Sequence, residues 1–510
     1  MTNSIEKKKK KLSFPTAFTV LFIVLAIACA LTYIIPAGSY AKLQYDAGGT
    51  GAHEFTLTAP DGKTEILPGT QETLDKLDVT TDIEKFEDGS INKAIGVPNS
   101  YEKLKAAPQG LGAFIMAPIT GVYDVIGIML FIFVIGGIVG VLNSSGAFSA
   151  GIGALSRATK GREYILIIFV TFLISLGGTT FGLAEETIAL YPILIPVFLA
   201  AKYDALICIA AIYMGSSIGT MFSTVNPFSA VIASNAAGIS FMEGMIFRLI
   251  GLIGGTIITI IYIMRYAKRV QRDPKLSYIY EDNEKIKVKY AQQGEAPALT
   301  LGYKIALLLF LATFVVMVWG VAKQGWWFGE MTALFLVSAV IIGILLRVGE
   351  KEFVSSFITG AGELIGVALV CGIARGVNVI LENGKISDSI LYNLSSLVEG
   401  MNHNIFIVLM MLIFVILGFF INSSSGLAVL SIPIIAPLAD TVGLPRDVII
   451  SAYIFGLGLI SFITPTGLIL ATLDLVQVTY DKWLKFVMPL MGIIAVFATI
   501  ILLIQANMSM

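Results

Sequence analysis

Apolar stretches long enough to cross a bilayer, about 17–25 residues each, recur at 15–36, 123–143, 245–264, 303–321, 330–346, 361–381 and 486–505. Three further apolar regions, 164–201, 205–236 and 404–475, exceed one crossing and are interrupted by Gly, Pro, Ser, Thr and Asn. With 14% charged and 56% apolar residues, the chain is far from the roughly 25% charged make-up of soluble domains. The pattern predicts an all-α polytopic membrane protein. The segment 15–36 follows five lysines at 7–11 but is too long for the core of a signal peptide, so it reads as a retained first helix.

Lys and Arg gather on cytoplasmic connections. They cluster at 7–11, at Arg157, Lys160 and Arg162, at Arg265, Lys268, Arg269, Arg272 and Lys275, and at Arg347 and Lys351. This arrangement predicts a cytoplasmic N-terminus. The segment 37–108 falls outside, as a small cap of mixed strand and loop, and the C-terminal QANMSM is compatible with an outside end. Cys29, Cys208 and Cys371 lie in separate apolar segments without CxxC spacing, and His53 and His403 lie in polar connections. Neither a disulfide framework nor a metal site is indicated, and no cofactor is expected. A formal net charge of −1 says little about partners; no nucleic acid is expected among them.

An internal repeat organises the remainder. DVIGIMLFIFVIGGIVGVLNSSG, from 124, can be laid on ELIGVALVCGIARGVNVILENGK, from 363; TTFGLA at 179–184 on SSSGLA at 423–428; YPILIP at 191–196 on IPIIAP at 432–437; and STVNP at 223–227 on SFITP at 461–465. The charge map runs 124–143 inward and 361–381 outward, so the copies are inverted. Inverted repeats with broken apolar segments at matching places point to a secondary transporter with its site near the midplane. The expected organisation is a basic N-terminus and first helix at 1–36, the external segment 37–108, a first repeat 109–270 with re-entrant hairpin 164–201 and broken helix 205–236, a cytoplasmic linker 271–302, scaffold helices 303–347, and a second repeat 348–510 with re-entrant hairpin 404–439 and broken helix 447–475.

The hairpin tips, GGTTFGLAEE and NSSSGLA, carry Thr179, Thr180, Asn422, Ser423, Ser424 and Ser425; the breaks carry Ser223, Asn226, Thr464 and Thr466. Unwound backbone at membrane depth is tolerated where protein or a water-filled cavity satisfies it. The hydroxyls there either line a substrate cavity or satisfy backbone and help helices pack.

The motifs GGTTFGLAEETIALYPILIP, GSSIGTMFSTVNPFSAVIASNAAGI (215–239), WGVAKQGWWFGEMTALF (319–335) and GIARGVNVI (372–380) resemble bacterial arginine/ornithine antiporters. These belong with YfcC-like basic amino acid antiporters, related to anaerobic C4-dicarboxylate carriers and the wider ion transporter superfamily. The resemblance extends over essentially the whole chain. It implies a homodimeric carrier, with a scaffold and a moving transport domain, that exchanges basic amino acids by elevator-type alternating access.

Glu185 and Glu186 stand opposite Val429 and Leu430 in the repeat match, so the acids belong to one hairpin. A carboxylate at depth is paired, protonated or awaiting a cation. At least one is expected to accept the cationic head of arginine or ornithine, with the substrate's α-carboxylate at the opposite tip around 422–425. Arg375, opposite Gly136, is the other deep charge; it either pairs with one glutamate or binds the substrate carboxylate itself. Asp474 is expected to be interfacial. The alternatives are a C4-dicarboxylate or other Na⁺- or H⁺-coupled anion carrier and an ion-coupled carrier of amino acids or peptides. An intramembrane enzyme is disfavoured, because neither an HExxH motif nor a deep His that could serve as base is present.

Overall fold

The computed structural model describes residues 15–46, 53–89, 91, 93–158, 161–290, 297–324, 326–396 and 401–508; the lysines at 7–11 and Lys160, used above to orient the chain, lie outside the described residues. Helix α1 (Ala17–Ile34), capped by the Thr16 hydroxyl, leads into a small domain on one end of the helices. This domain carries strands, the mixed strand and loop read for 37–108, and the rest of the described chain is helical. It holds β1 (Gly38–Ser39), β2 (Lys42–Asp46), β3 (Glu54–Thr58), β4 (Thr64–Pro68), α2 (Gln71–Lys76), α3 (Glu84–Glu87), β5 (Ile95–Gly96) and β6 (Glu102–Lys103). The strands form an antiparallel sheet of order β4-β3-β2-β5 and a separate β1-β6 pair. Along β2, Leu43 and Tyr45 turn inward while Lys42 and Asp46 face solvent, the period of two that a half-buried strand requires. Tyr45, Phe55 and Phe86 meet edge to face or tilted beneath the sheet.

The next run comprises α4 (Leu111–Asp124), α5 (Ile126–Ser144), α6 (Ala147–Ala158), α7 (Tyr164–Phe181), a 3₁₀ turn Glu185–Leu190 and α8 (Tyr191–Ala200). After it, α9 (Ala205–Ile209) continues through a π turn into α10 (Gly215–Met221), the chain breaks, a second π turn at Pro227–Val231 leads into α11 (Ile232–Ala236), and α12 (Met245–Arg272) closes the run. A linker with α13 (Asn283–Tyr290) precedes the adjacent helices α14 (Leu301–Gln324) and α15 (Phe328–Leu345). The second run has the same order: α16 (Glu350–Glu363), α17 (Ile365–Asn383), α18 (Ser387–Ser396), α19 (His403–Phe420), α20 (Ser424–Thr441), α21 (Arg446–Ser461), α22 (Leu468–Val476) and α23 (Tyr480–Met508). Among the described residues nine helices are long and apolar enough to cross a membrane. The helices α4 and α16 escape sequence reading. Each is only 14 residues and abuts its successor at Val125 or Leu364, without the Gly or Pro that marks a break elsewhere.

Packing pairs elements of the first run with those of the second. Helix α4 lies along α17 and α5 along α16. Small residues permit both contacts: Gly121 sits against Gly372 and Gly376, while Gly136 and Gly140 sit against Gly360. A Cβ on Gly376 would lie 2.7 Å from the Ala117 carbonyl oxygen; such close backbone approach is how helices associate where water offers no driving force. At the centre, α10 crosses α21, with Phe222 on Phe455 at 4.9 Å between ring centroids. Helix α7 packs on α10, α19 on α21, and α12 on α23.

The cap domain clamps one end of this bundle. Ser39 Oγ and the Tyr40 amide donate to Asp388 of α18 at 3.0 and 3.1 Å, and Tyr101 stacks on Tyr392. Thr81 Oγ1 donates to the Asn235 carbonyl, and β5 lies along α20, with Gly96 beside the Leu430 carbonyl. The linker ties down the other end, where Asp204 accepts from Tyr266 and Ser277 at 2.8 and 2.6 Å and Lys289 donates to the Leu475 carbonyl at 2.8 Å.

Gly376→Ala is expected to destabilise the protein by about 1–3 kcal/mol through overpacking. Gly112→Ala, whose added Cβ meets nothing within 4 Å, is expected to cause no loss. Thermal midpoints of the purified variants in detergent check both.

Candidate functional site

The turn that follows α7 and the turn that precedes α20, the two tips, each dock on the helix break of their own run. At the first tip, α7 ends on Gly182, whose φ of +75° is the left-handed conformation that glycine adopts freely. A Cβ there would meet Asn226 Nδ2 at 3.0 Å. Thr179 Oγ1 accepts from the Thr224 amide at 3.0 Å and lies 3.2 Å from Thr224 Oγ1. Asn226 caps the turn after the break, its Oδ1 accepting from the Phe228 amide at 2.9 Å, while its Nδ2 donates to the Gly178 carbonyl at 3.2 Å. Ser223 Oγ bonds Ser229 Oγ at 2.8 Å. Pro227 follows at the first helical position, where its missing N–H costs nothing.

The second tip repeats the device. Asn422 Nδ2 donates to the Thr466 carbonyl at 3.0 Å, and Thr464 Oγ1 lies 3.0 Å from Thr466 Oγ1. Ser423 caps α20 by accepting from the Gly426 amide at 3.1 Å, and Tyr453 OH donates to the Ser424 carbonyl at 2.5 Å. Most of the candidate polar residues are therefore engaged with backbone or with one another. Thr180 stands apart. Its exposed hydroxyl turns back onto the Leu176 carbonyl at 2.7 Å, on the same exposed stripe of α7 as Phe169, Phe172, Leu173 and Leu176.

Glu185 and Glu186 open the 3₁₀ turn that follows the first tip, and both side chains are half-buried. Glu186 Oε2 accepts from the Ala184 amide at 3.1 Å. Among the described residues neither carboxylate has a Lys, Arg or His within ion-pair distance. The turn packs on α5, and Glu185 lies within electrostatic reach of the Cys371 thiol on α17.

Arg375 departs from expectation. Its Nε donates to Asp124 Oδ2 at 3.0 Å and its Nη1 to Glu382 Oε1 at 3.2 Å, so its ion partners are these two acids, not Glu185 or Glu186. Asp124 terminates α4, a helix that hydropathy alone did not reveal; α4 lies along α17 and brings the acid to the arginine. Asp474 lies beside Gly366 and within reach of Lys289 at the linker end. Sequence reasoning missed Lys93 altogether. This cap residue donates to Ser425 Oγ at 2.6 Å. Nothing local in a polar loop signals that its side chain reaches a tip more than 300 residues later.

A many-pass helical membrane protein with polar breaks and charges in its interior is built as a transporter. The chain belongs to the DcuC family, described as C4-dicarboxylate anaerobic carrier, which it matches over residues 14–507. An uncharacterized protein of Haemophilus influenzae is 44% identical over 506 residues, covering 98% of this chain and 99% of its own. The Escherichia coli K12 protein described as "Putative basic amino acid antiporter YfcC" is 32% identical over 390 residues, 74% of this chain and 77% of that one. The solved YdaH transporter of Alcanivorax borkumensis aligns over 97% of this chain and 99% of its own, at 13% identity and a TM-score of 0.41.

Asn226→Ala removes a helix cap and leaves the Gly178 carbonyl without this partner, and is expected to cost about 1–3 kcal/mol. Thr180→Val is expected to stay within about 0.5 kcal/mol of the parent. Thermal unfolding of the two variants side by side tests the distinction.

Proposed function

We propose that this membrane transporter exchanges basic amino acids, arginine for ornithine in the first instance, across the bacterial plasma membrane with its N-terminus inside. The observation that carries the reading is the pair of half-buried carboxylates, Glu185 and Glu186, without a cationic partner among the described residues. A carboxylate in that position favours a cation, and a guanidinium suits it through charge-assisted, bidentate bonds. Neighbouring residues on a helical turn point in different directions, so the two acids have different tasks. The substrate's α-carboxylate lies toward Ser423, Ser424 and Ser425, at the N-terminal end of α20, where the helix dipole favours an anion.

The matching element order and the paired contacts of α4 with α17 and α5 with α16 support two inverted repeats. The lock between each tip and its own break supports hairpin and broken helix travelling together, in an elevator-like step against the scaffold helices of a homodimer. Arginine and ornithine each carry one net positive charge near neutral pH, so exchange moves no net charge. An empty carrier retaining an uncompensated acid crosses at higher cost than a loaded one, which makes exchange obligatory. The relative described as a basic amino acid antiporter agrees with this reading. The family's description as a dicarboxylate carrier, together with Lys93 at the second tip, favours a second reading, a C4-dicarboxylate substrate.

Purified protein in ornithine-loaded liposomes is expected to take up labelled arginine, with empty, citrulline-loaded and succinate-loaded vesicles near background. At least one of Glu185→Gln and Glu186→Gln is expected to lower the exchange rate tenfold or more. Full exchange in both variants refutes the role given to the acids, and uptake of succinate without arginine transfers the assignment to the second reading.

A further inference from the structure

The cap contributes more than a lid to the bundle. Its strand β5 lies along α20, and the residue two places before that strand, Lys93, extends down to the hairpin tip, where its ammonium donates to Ser425 Oγ at 2.6 Å. Among the described residues Lys93 has no carboxylate within ion-pair distance. The charge that bears on it is another cation, Arg375. Partial desolvation first, and that like charge second, lower the Lys93 ammonium from the ordinary lysine value; a carboxylate arriving beside it offsets the repulsion.

Helix α17 relates this cation to the acids of the other tip. Cys371 is within electrostatic reach of Glu185, and Arg375, which bears on Lys93, is one turn further along, about 6 Å of rise. Glu185 thus bears on one end of that turn and Lys93 on the other, where Arg375 is already paired with Asp124 and Glu382. A basic amino acid has the complementary layout, with a cationic side-chain head separated by methylenes from an α-carboxylate. Arg375 is held by Asp124 and Glu382, whereas Lys93 is held by a single hydroxyl.

We propose that Lys93, delivered by the cap, binds the carboxylate of the substrate, with the Ser425 hydroxyl and the N-terminal end of α20 beside it. This rests on the reading of the tips as the substrate site, and it adds the external domain to that site.

The test measures equilibrium binding of three probes to purified full-length protein: L-arginine, agmatine, which is arginine without its carboxylate, and succinate. In Lys93→Gln, affinity for arginine is expected to fall about tenfold while affinity for agmatine stays within twofold, with Lys93→Arg retaining most of the arginine affinity. An unchanged thermal midpoint separates this from unfolding. Equal loss for arginine and agmatine, or no loss for any carboxylate-bearing probe that the parent binds, overturns the proposal. If the parent binds succinate and not arginine, the basic amino acid reading fails, and a tenfold loss of succinate binding in Lys93→Gln still supports the role of Lys93. A parent that binds neither arginine nor succinate overturns both.

Discussion

Main-chain amides and carbonyls freed inside an apolar bundle need partners that water does not supply, and the arrangement of this protein follows from how they are found. Both helix breaks lie at the centre, where α10 crosses α21. The hairpin tip of the same run serves each break: Thr179 and Gly178 meet Thr224 and Asn226, and Asn422 meets Thr466. Because the partners come from the same run, tip and break form one hydrogen-bonded unit. The hydroxyl and amide side chains concentrated there are chiefly occupied in holding it.

Close packing between helices of the two runs complements these polar contacts. The contacts of α4 with α17 and of α5 with α16 rely on glycines whose added Cβ atoms would collide with the opposing backbone. In a bilayer, shape rather than water exclusion binds such surfaces. The contact of α4 with α17 puts Asp124 beside Arg375, so the arginine finds its acid through helix packing and not at Glu185 or Glu186.

In the proposed exchange, the functional charges are therefore the exceptions to a rule of internal satisfaction. Glu185 and Glu186 stand beside a tip whose hydroxyls are engaged, and Lys93 arrives from outside the helical body. This division suits a molecule carrying charges of both signs at its two ends. It also links the cap, otherwise a small sheet with its own aromatic core, to the first turn of α20 through the bond from Lys93 to Ser425.

Hydropathy alone made the membrane helices legible, because a crossing of about 20 apolar residues is a local property of the chain. The Asn226-Pro227 and Thr464-Pro465 interruptions were visible for a similar reason, since Pro removes a donor wherever it stands. Helices α4 and α16 were not visible, because they are short and end without a breaker. Which polar residues are occupied and which are open was also beyond local reading: the partners of Arg375 lie 251 and 7 residues away, and Ser425 meets a lysine 332 residues earlier. A sequence determines where charge enters an apolar segment. Only the tertiary structure decides what that charge faces, because pairing depends on helices brought together by packing rather than by their order in the chain.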